Sequence, residues 1–450
     1  MKYIPESEVY IRHLLVAVVL LCISGGCASN LFVEMKVDRY LPGEDYTVAL
    51  TEIESHERKF GERNRLLFLF NRGALNFYSD RYIESLADFR EAARVSEELF
   101  TRSISTEAAG LVNPNITPYD GEDYEKVMIH IYAAFNYIKL GELEEAGVEA
   151  RIINQKLELL AGRYEAENKY RNDAFARYLS GIIYEATGEV NNAYISYKLA
   201  LDAYRDYRKM FPSRIPIQLK KDILRLAGEL GFTNQYESYS SEFGISGDAG
   251  NFDNSGEAVV IAMTGMAPFK RELEASFTHV DDEGKTHTFQ ILIPEMVERD
   301  GDIAGVYTGT AGVGEVGMEK AELVHDLSGI AVKNMSDKMP GIMIRAWLRA
   351  LAKFRATEKA KKEMKTDSKL GNILIGSITD AFAESVTHAD IRCWRTLPAR
   401  IHMRRLRLEP GSHDLVVEMR GTDCRIERIV KNNVEIRKNR FSFIFAESFK

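Results

Sequence analysis

Apolar residues recur with the period of an α-helix through residues 58–235 of this 450-residue chain. In the most regular passage, small and aromatic residues follow the spacing G-x2-Y-x3-G-x4-A-x3-Y-x2-A from Gly181 to Ala200. Small residues let two helices approach closely, and a glycine after the first helix favours a left-handed turn. The spacing therefore predicts a helix–turn–helix unit, with Tyr197 and Ala200 on its buried stripe.

This spacing resembles the tetratricopeptide repeat (TPR), a helix–turn–helix unit of about 34 residues. Further copies begin at Ala134 and, less regularly, at Gly73. The copies lie farther apart than in a tandem array, which indicates inserted segments. The alternative is a generic helical bundle with small residues at its crossings, but the copy at Gly181 matches at too many positions to favour it. The residues predicted to pack between the repeat helices are Gly73, Phe89, Ala134, Tyr137, Gly141, Ala146, Gly181, Tyr184, Gly188, Ala193, Tyr197 and Ala200.

The pattern changes after residues 236–257, which are rich in Ser, Gly, Asp and Asn and are predicted to be a linker. Beyond them, short or alternating apolar runs predict strands, and two longer stretches predict helices, with turns at Pro410-Gly411 and Asn432-Asn433. These elements are predicted at residues 258–263, 286–293, 341–364 and 371–386 and in five strand-like segments between 400 and 445. The predicted fold is an α-helical TPR-like solenoid at 58–235, followed by an α+β domain with a β-rich C-terminal end at 258–450.

The start of the chain is typical of a secretory signal. Residues 14–23 form an apolar run that is too short to span a bilayer, which takes about 20 apolar residues, and small residues follow it. Because the run ends just before Cys27, it predicts a bacterial lipoprotein signal at 1–26 and a lipid on the Cys27 thiol. The alternative is an ordinary secretory signal with a chance cysteine. Residues 27–57 are predicted to be a tether.

Ala28 follows the cysteine, where an aspartate would suggest retention in the inner membrane. We therefore expect the protein on the periplasmic face of the outer membrane, ahead of the inner membrane or the cell surface. The net charge of −8 gives no general affinity for nucleic acid or anionic lipid. In an oxidising compartment Cys393 and Cys424 can form a disulfide, and two buried free thiols are at least as good an interpretation.

Two glycine-rich motifs have the spacing of nucleotide-binding sites but lack the other residues that such sites need. Gly312, Gly314 and Gly317 have the spacing of a dinucleotide-binding loop, but no acidic residue at a strand end follows them. Gly371 and Gly376 have P-loop spacing without the Lys and Ser/Thr that hold phosphate and magnesium. The sequence contains no metal-binding or nucleophile motif. We therefore expect no catalytic residue, no metal and no cofactor.

A wider resemblance is carried by residues 119–130, 148–151 and 389–398 together with the lipoprotein start. They resemble an uncharacterised family of bacterial lipoproteins with TPR-like N-terminal halves. The resemblance implies an envelope location and no known reaction. Members of that family tend to accompany small lipoproteins similar to activators of penicillin-binding proteins, which suggests envelope assembly.

The last of these segments holds Asp390, Arg392, Trp394 and Pro398, the most prominent cluster outside the repeats. A recognition pocket is one interpretation, because Arg and Trp are frequent binding anchors. We favour a structural role, in which Trp394 fills the junction of the helices and the final sheet. In that role Asp390 pairs with Arg392, and Pro398 lies at the start of a strand.

The sequence predicts a non-enzymatic, membrane-tethered adaptor that binds another envelope protein in the concave face of its repeats. The competing hypothesis is an envelope enzyme or ligand-binding protein with its site in the C-terminal domain, near the glycine-rich loop at 301–317. A third hypothesis is a structural lipoprotein that helps to assemble a surface or secretion complex. A deep pocket of ionisable side chains would favour the second hypothesis over the first.

Overall fold

A computed structural model of the chain describes residues 28–106, 117–163, 172–210, 213–245, 254–280, 284, 286–299, 301–312, 317–363 and 388–450. Cys27, the centre of the glycine-rich loop and the helix predicted at 371–386 lie outside these residues.

The N-terminal half consists of helices that follow one another in antiparallel pairs. The pairs α4–α5, α6–α7 and α8–α9 contain the three predicted repeat units, and α10–α11 adds a further pair. The helices are α1 (Ala28–Tyr40), α2 (Tyr46–Ser55), α3 (Glu57–Phe60), α4 (Arg65–Tyr78), α5 (Tyr82–Thr106), α6 (Asp123–Leu140), α7 (Leu143–Arg163), α8 (Ala174–Ala186), α9 (Val190–Met210), α10 (Ile217–Glu229) and α11 (Thr233–Phe243).

The described residues of the C-terminal half form three sheets and one long helix. The central sheet has the strand order β10-β1-β7-β6, the outer sheet has the order β5-β4-β8-β9, and β2 and β3 form a separate antiparallel hairpin. The elements are β1 (Gly256–Met266), β2 (Phe269–Val280), β3 (Thr286–Val297), β4 (Ile303–Thr310), β5 (Glu319–Lys320), β6 (Glu322–Asp326), α12 (Leu327–Glu363), β7 (Pro398–Leu408), β8 (Gly411–Gly421), β9 (Ile426–Ile436) and β10 (Phe441–Ser448).

The central sheet is covered on both faces, so every residue of β1 is buried. Val259 and Ile261 belong to the core that the sheet shares with the helices, whereas Ala258 and Val260 belong to the core that it shares with the outer sheet. This alternation follows from the period of two in a strand. The body therefore has three layers, which are the repeat helices, the central sheet and the outer sheet.

The hairpin and residues 341–363 of α12 form a separate unit, which we call the arm. Ile291, Ile293 and Ala346 form its small core, apart from the two main cores. Leu327, in the first turn of α12, belongs instead to the main core. Pro340 lies inside α12 between these two parts, where its missing N–H removes one helical hydrogen bond.

The prediction of a tether at residues 27–57 was wrong where the structure describes them. Helices α1 and α2 pack Val33, Val37 and Ile53 into the main core. The apolar pattern of α1 is difficult to recognise in the sequence because Asn30 and Glu34 are also buried. The helical half therefore begins at Ala28 rather than at residue 58.

Other boundaries also differ from the prediction. Helix α11 reaches Phe243, inside the predicted linker, and α12 begins at Leu327 rather than at residue 341. Asn432-Asn433 is not a turn, because β9 continues through it with a shift of register opposite β8 and Asn433 at φ 56°. No helix among the described residues is long and apolar enough to cross a membrane.

Candidate functional site

Two glycines lie where the helices of a repeat cross. A Cβ added at Gly181 would stand 2.4 Å from the Tyr197 ring and 3.3 Å from the Ala193 carbonyl oxygen. A Cβ added at Gly73 would stand 2.9 Å from the Phe89 ring. The two distances to the rings are shorter than a carbon–carbon van der Waals contact. The aromatic ring in each pair therefore packs directly against the glycine.

The remaining predicted repeat residues lie in the turns between paired helices or are buried where the helices pack. Gly141 and Gly188 follow the first helices at φ 79° and 84°, a left-handed conformation that glycine adopts without strain. The hydroxyl of Tyr137 accepts a hydrogen bond from Arg90, and that of Tyr184 accepts one from Asn154. The other predicted packing residues are all buried, namely Ala134, Ala146, Ala193 and Ala200.

Trp394 lies at the junction between the helices and the central sheet, with 1% of its surface exposed. Its indole stacks on the Phe70 ring with centroids 4.4 Å apart, and the Phe89 and Tyr132 centroids lie 5.7 and 5.6 Å away. The backbone N–H of Trp394 donates to the Glu125 carboxylate at 2.7 Å. Trp394 therefore packs inside the protein and does not line a recognition pocket.

The other members of this cluster also have structural contacts. Arg392 donates two hydrogen bonds to the Asp390 carboxylate, at 2.8 and 2.7 Å. It also donates to the side chain of Asn64 at 3.2 Å. Pro398 is the first residue of β7 and lies opposite Met266 of β1. The segment therefore connects the helical half to the start of a central strand.

Glu122 precedes α6 and connects it to the arm and to α12. Its carboxylate accepts hydrogen bonds from Lys270 at 2.6 Å, from Asn334 at 2.8 Å and from Lys338. Burial alone would raise the pKa of Glu122, but the two ammonium groups outweigh burial and hold the pKa well below its usual range. Glu122 is therefore a buried anion that caps α6 through the Glu125 backbone and pairs with two cations of the C-terminal half.

Arg405 of β7 lies in a second buried charge cluster. Its guanidinium donates to both carboxylate oxygens of Glu257, at 2.5 and 2.7 Å, and lies 2.9 Å from Asp222 of α10 and 3.4 Å from Glu185 of α8. Burial lowers the pKa of Arg405, but these carboxylates raise it well above its usual range overall. The cluster therefore joins the central sheet to helices α8 and α10 through buried charges that compensate one another.

A third cluster joins α1 to the segments that flank the arm. Asp38 accepts a hydrogen bond from Arg395 at 2.9 Å and lies 3.1 Å from a guanidinium nitrogen of Arg299. Nearby Glu34 accepts a hydrogen bond from Asn71 at 3.3 Å. Burial raises the pKa of Glu34 to about 8, against the opposing effect of Arg395. Glu34 is therefore protonated at neutral pH.

The first helix of each repeat contacts the C-terminal half. The Tyr78 hydroxyl of α4 donates to the Thr396 carbonyl at 2.9 Å, and the Phe135 ring of α6 lies 5.0 Å from the Phe445 ring of β10. Helix α8 reaches Arg405 through Glu185. The groove that we expected along the repeats is therefore occupied, because the C-terminal half of the same chain covers these helices.

The disulfide that we considered is not formed. Cys393 is buried, Cys424 is exposed in the turn between β8 and β9, and both thiols are free. Burial raises the pKa of the Cys393 thiol to about 11. The two residues belong to different parts of the fold, since one lies at the junction and the other at the edge of the outer sheet.

The C-terminal domain has a small cavity near the glycine-rich loop. It encloses about 80 Å³, and Gly265, Arg299, Gly301, Ser328 and Arg400 are among the residues that line it. Ligand sites are usually about 300–1,000 Å³, so this cavity is too small for most organic ligands. Within the part of the chain that the structure describes, no three His, Cys, Asp or Glu side chains are grouped to hold a metal ion.

The charged residues of the junction were not predicted as a site from the sequence. Glu122 and Lys270 are separated by 148 positions, as are Glu257 and Arg405, so no local pattern links them. One signal was present, because Glu257 adjoins an apolar strand and Arg405 stands inside an alternating one. A charge at a buried strand position indicates a buried partner of opposite charge.

No protein-family model and no curated protein matches the chain. Several solved structures are similar to part of it. The apo form of RapI is 13% identical with a TM-score of 0.35, and the match covers 51% of this chain and 57% of RapI. A Podosopora anserina protein, described as a kinesin light chain with nearly identical TPR-like repeats, is 13% identical with a TM-score of 0.30, covering 48% of this chain and 96% of that one.

Proposed function

We propose that this protein is a lipid-anchored adaptor of the bacterial envelope, held by an acylated Cys27 on the periplasmic face of the outer membrane. It binds a second envelope protein and catalyses no reaction. The TPR-like helix pairs support a role in protein binding, and the signal segment supports the location. The lipid anchor raises the local concentration of the adaptor near its partner, so a modest affinity suffices.

The docking surface lies on the second helices of the repeats, because the first helices are covered by the central sheet. Val148 of α7 and Ile195 of α9 are both exposed, and each lies two residues after the alanine that packs at its helix crossing, Ala146 or Ala193. Arg151 of α7 contacts Glu189, just before α9, at 3.1 Å. This repeated apolar position on neighbouring helices is the observation that carries the proposal.

Site-specific photocrosslinking in cells tests the docking surface. A photoreactive residue at Val148 or Ile195 should give an adduct with a separate envelope protein, and the same probe at exposed Lys209 should not. The double substitution Val148→Glu and Ile195→Glu should abolish co-purification of that protein while leaving the fold intact. Absence of any adduct at both positions, together with turnover of a cell-wall substrate by the purified protein, would refute the adaptor.

The lipid anchor is tested separately. Cys27→Ser should release the protein from membranes or block its maturation, and mass spectrometry of the native protein should show an acylated N-terminal cysteine. A Cys27→Ser protein that is still processed and remains membrane-bound would contradict the anchor without affecting the docking surface.

A further inference from the structure

The arm carries a helix with two different apolar faces. The inner face packs on the hairpin, where Ala346 contacts the Ile291 and Ile293 cluster and the Phe354 ring lies 5.3 Å from the Phe289 ring. The opposite face leaves Ile344 exposed to 58%, and Met343, on the flank beside Trp347, is exposed to 45%. The inner face explains why the arm folds, but it does not account for the apolar residues outside.

The exposed face has a recognisable composition. Leu348, 38% exposed, lies one turn after Ile344 and extends the exposed stripe along the helix. Trp347 stands between the two faces, with its ring 6.1 Å from that of Phe277. Tryptophan with one buried edge and one exposed edge is enriched at the boundary between a membrane and water.

The charge of this helix is opposite to that of the whole chain. Residues 341–357 contain Arg345, Arg349, Lys353 and Arg355 and no Asp or Glu, whereas the protein has a net charge of −8. Burial, and then the neighbouring cation Arg345, lower the pKa of Arg349, so positive charges crowd together here. An apolar stripe between basic residues is typical of a helix that lies in the interface of an anionic membrane.

The base of the arm lies close to the helix that follows the predicted lipid anchor. Asp38 of α1 contacts both Arg299 and Arg395, and both guanidinium groups lie over the ring of Phe269, the first residue of β2. Helix α1 begins at Ala28, ten residues before Asp38, which is a distance of about 15 Å along a helix. An acyl chain on Cys27 would therefore hold the arm near the bilayer surface.

We propose that the exposed face of α12 binds an anionic phospholipid surface. Met343, Ile344 and Leu348 enter the boundary between headgroups and acyl chains, and Arg345 and Arg355 contact the headgroup phosphates. This inference deepens the proposed membrane tether and rests on it only for the orientation of the body. A second contact beside the lipid would fix how the docking helices face the periplasm.

Intrinsic fluorescence provides the test, because the chain has two tryptophans and Trp394 is buried in the body. The assay uses residues 28–450, which contain every described element but lack Cys27, and vesicles of phosphatidylcholine with or without phosphatidylglycerol. With phosphatidylglycerol present, we expect co-flotation, a blue shift of Trp347 and quenching by brominated lipid. All three should weaken as salt is added.

Substitutions separate the two contributions. Arg345→Gln with Arg355→Gln should weaken binding about 30-fold, because each basic residue near the surface contributes about 1 kcal/mol. Ile344→Glu with Leu348→Glu should abolish binding and quenching. The matched control, Val148→Glu with Ile195→Glu, places the same two charges on the repeats and should bind vesicles like the unchanged protein.

Three results would overturn the proposal. The first is equal affinity for vesicles with and without phosphatidylglycerol. The second is unchanged binding by the Ile344→Glu, Leu348→Glu protein. The third is a concentration-dependent dimer in sedimentation that this substitution disrupts, which would assign the face to a second copy of the chain. Because the assay protein lacks Cys27, none of these results bears on the acyl anchor or on the partner of the repeats.

Discussion

The two parts of α12 show how differently one helix can be used. Before Pro340, Leu327 is in the main core and Lys338 reaches the buried Glu122 of the helical half. After Pro340, Ile344 is more than half exposed and the charged residues at 341–357 are all positive. The first part holds the body together, and the second presents a surface.

Charge is buried in this protein where an opposite charge compensates it. At the junction, charges are buried in sets that nearly neutralise one another, and each set includes residues of both halves. Removing one member leaves its partners buried without compensation, which costs more than the intact set contributes. On the arm, like charges lie together near the surface, where water screens them. We therefore expect large stability effects at the junction and small ones on the outer face of the arm.

The largest effect should come from Arg405. Arg405→Met keeps the apolar stem but leaves Glu257 without its buried cation, and Glu185 and Asp222 keep only Arg225 of α10. We therefore expect a loss of about 3–5 kcal/mol in the free energy of unfolding. Urea denaturation followed by circular dichroism measures it. The neighbouring Arg404 pairs with Glu319 at the surface, and Arg404→Met should cost less than about 1 kcal/mol. Equal losses in the two variants would show that the buried cluster does not connect the two halves.

Glu34 should make the free energy of unfolding depend on pH. The pKa of Glu34 is about 8 in the folded protein, against an ordinary value of 4.5. The folded state therefore binds the proton more tightly than the unfolded state does. The resulting stability is fully present below pH 4.5 and is lost as the pH rises through 8. Between pH 4.5 and 8 the unchanged protein should therefore lose stability relative to Glu34→Gln, by up to roughly 1.4 kcal/mol per pH unit. Parallel unfolding curves for both proteins at pH 5, 6.5 and 8 measure the difference, and a constant difference would contradict the buried, protonated state.

Gly181 tests the helix crossing beneath the junction. Gly181→Ala places a Cβ against the Tyr197 ring and the Ala193 carbonyl, so we expect a loss of about 1–3 kcal/mol from overpacking. Gly162, in the last turn of α7, has no atom within 4 Å of such a Cβ. Gly162→Ala should be neutral or stabilise the protein by about 0.5–1 kcal/mol, because alanine is the better helix former. Thermal unfolding of the two variants distinguishes steric conflict from helix propensity.

These residues also show which features a sequence can reveal. The positions of Gly181, Gly188 and Tyr197 follow from spacing within a single repeat, and the structural role of Trp394 followed from its size and apolar body. The contact of Glu122 with Lys270 depends on how two halves of the chain meet, which no local spacing encodes. Helix α1 was missed for a related reason, since Glu34 looks solvent-facing until its buried surroundings are known.

The smallest effect on stability is expected in the arm. Ile342 and Ile344 are two positions apart on one helix, yet the same substitution should affect the hairpin at only one of them. Ile342 packs on the arm core, so Ile342→Glu would bury a charge there and should loosen the hairpin from the helix. Ile344→Glu places the same charge in water and should change the free energy of unfolding by less than about 0.5 kcal/mol. Amide hydrogen exchange over β2 and β3 measures both, and we expect faster exchange in the first variant alone. If Ile344→Glu also exposed the hairpin, its side chain would belong to the arm core and the outer face would not be available to a membrane.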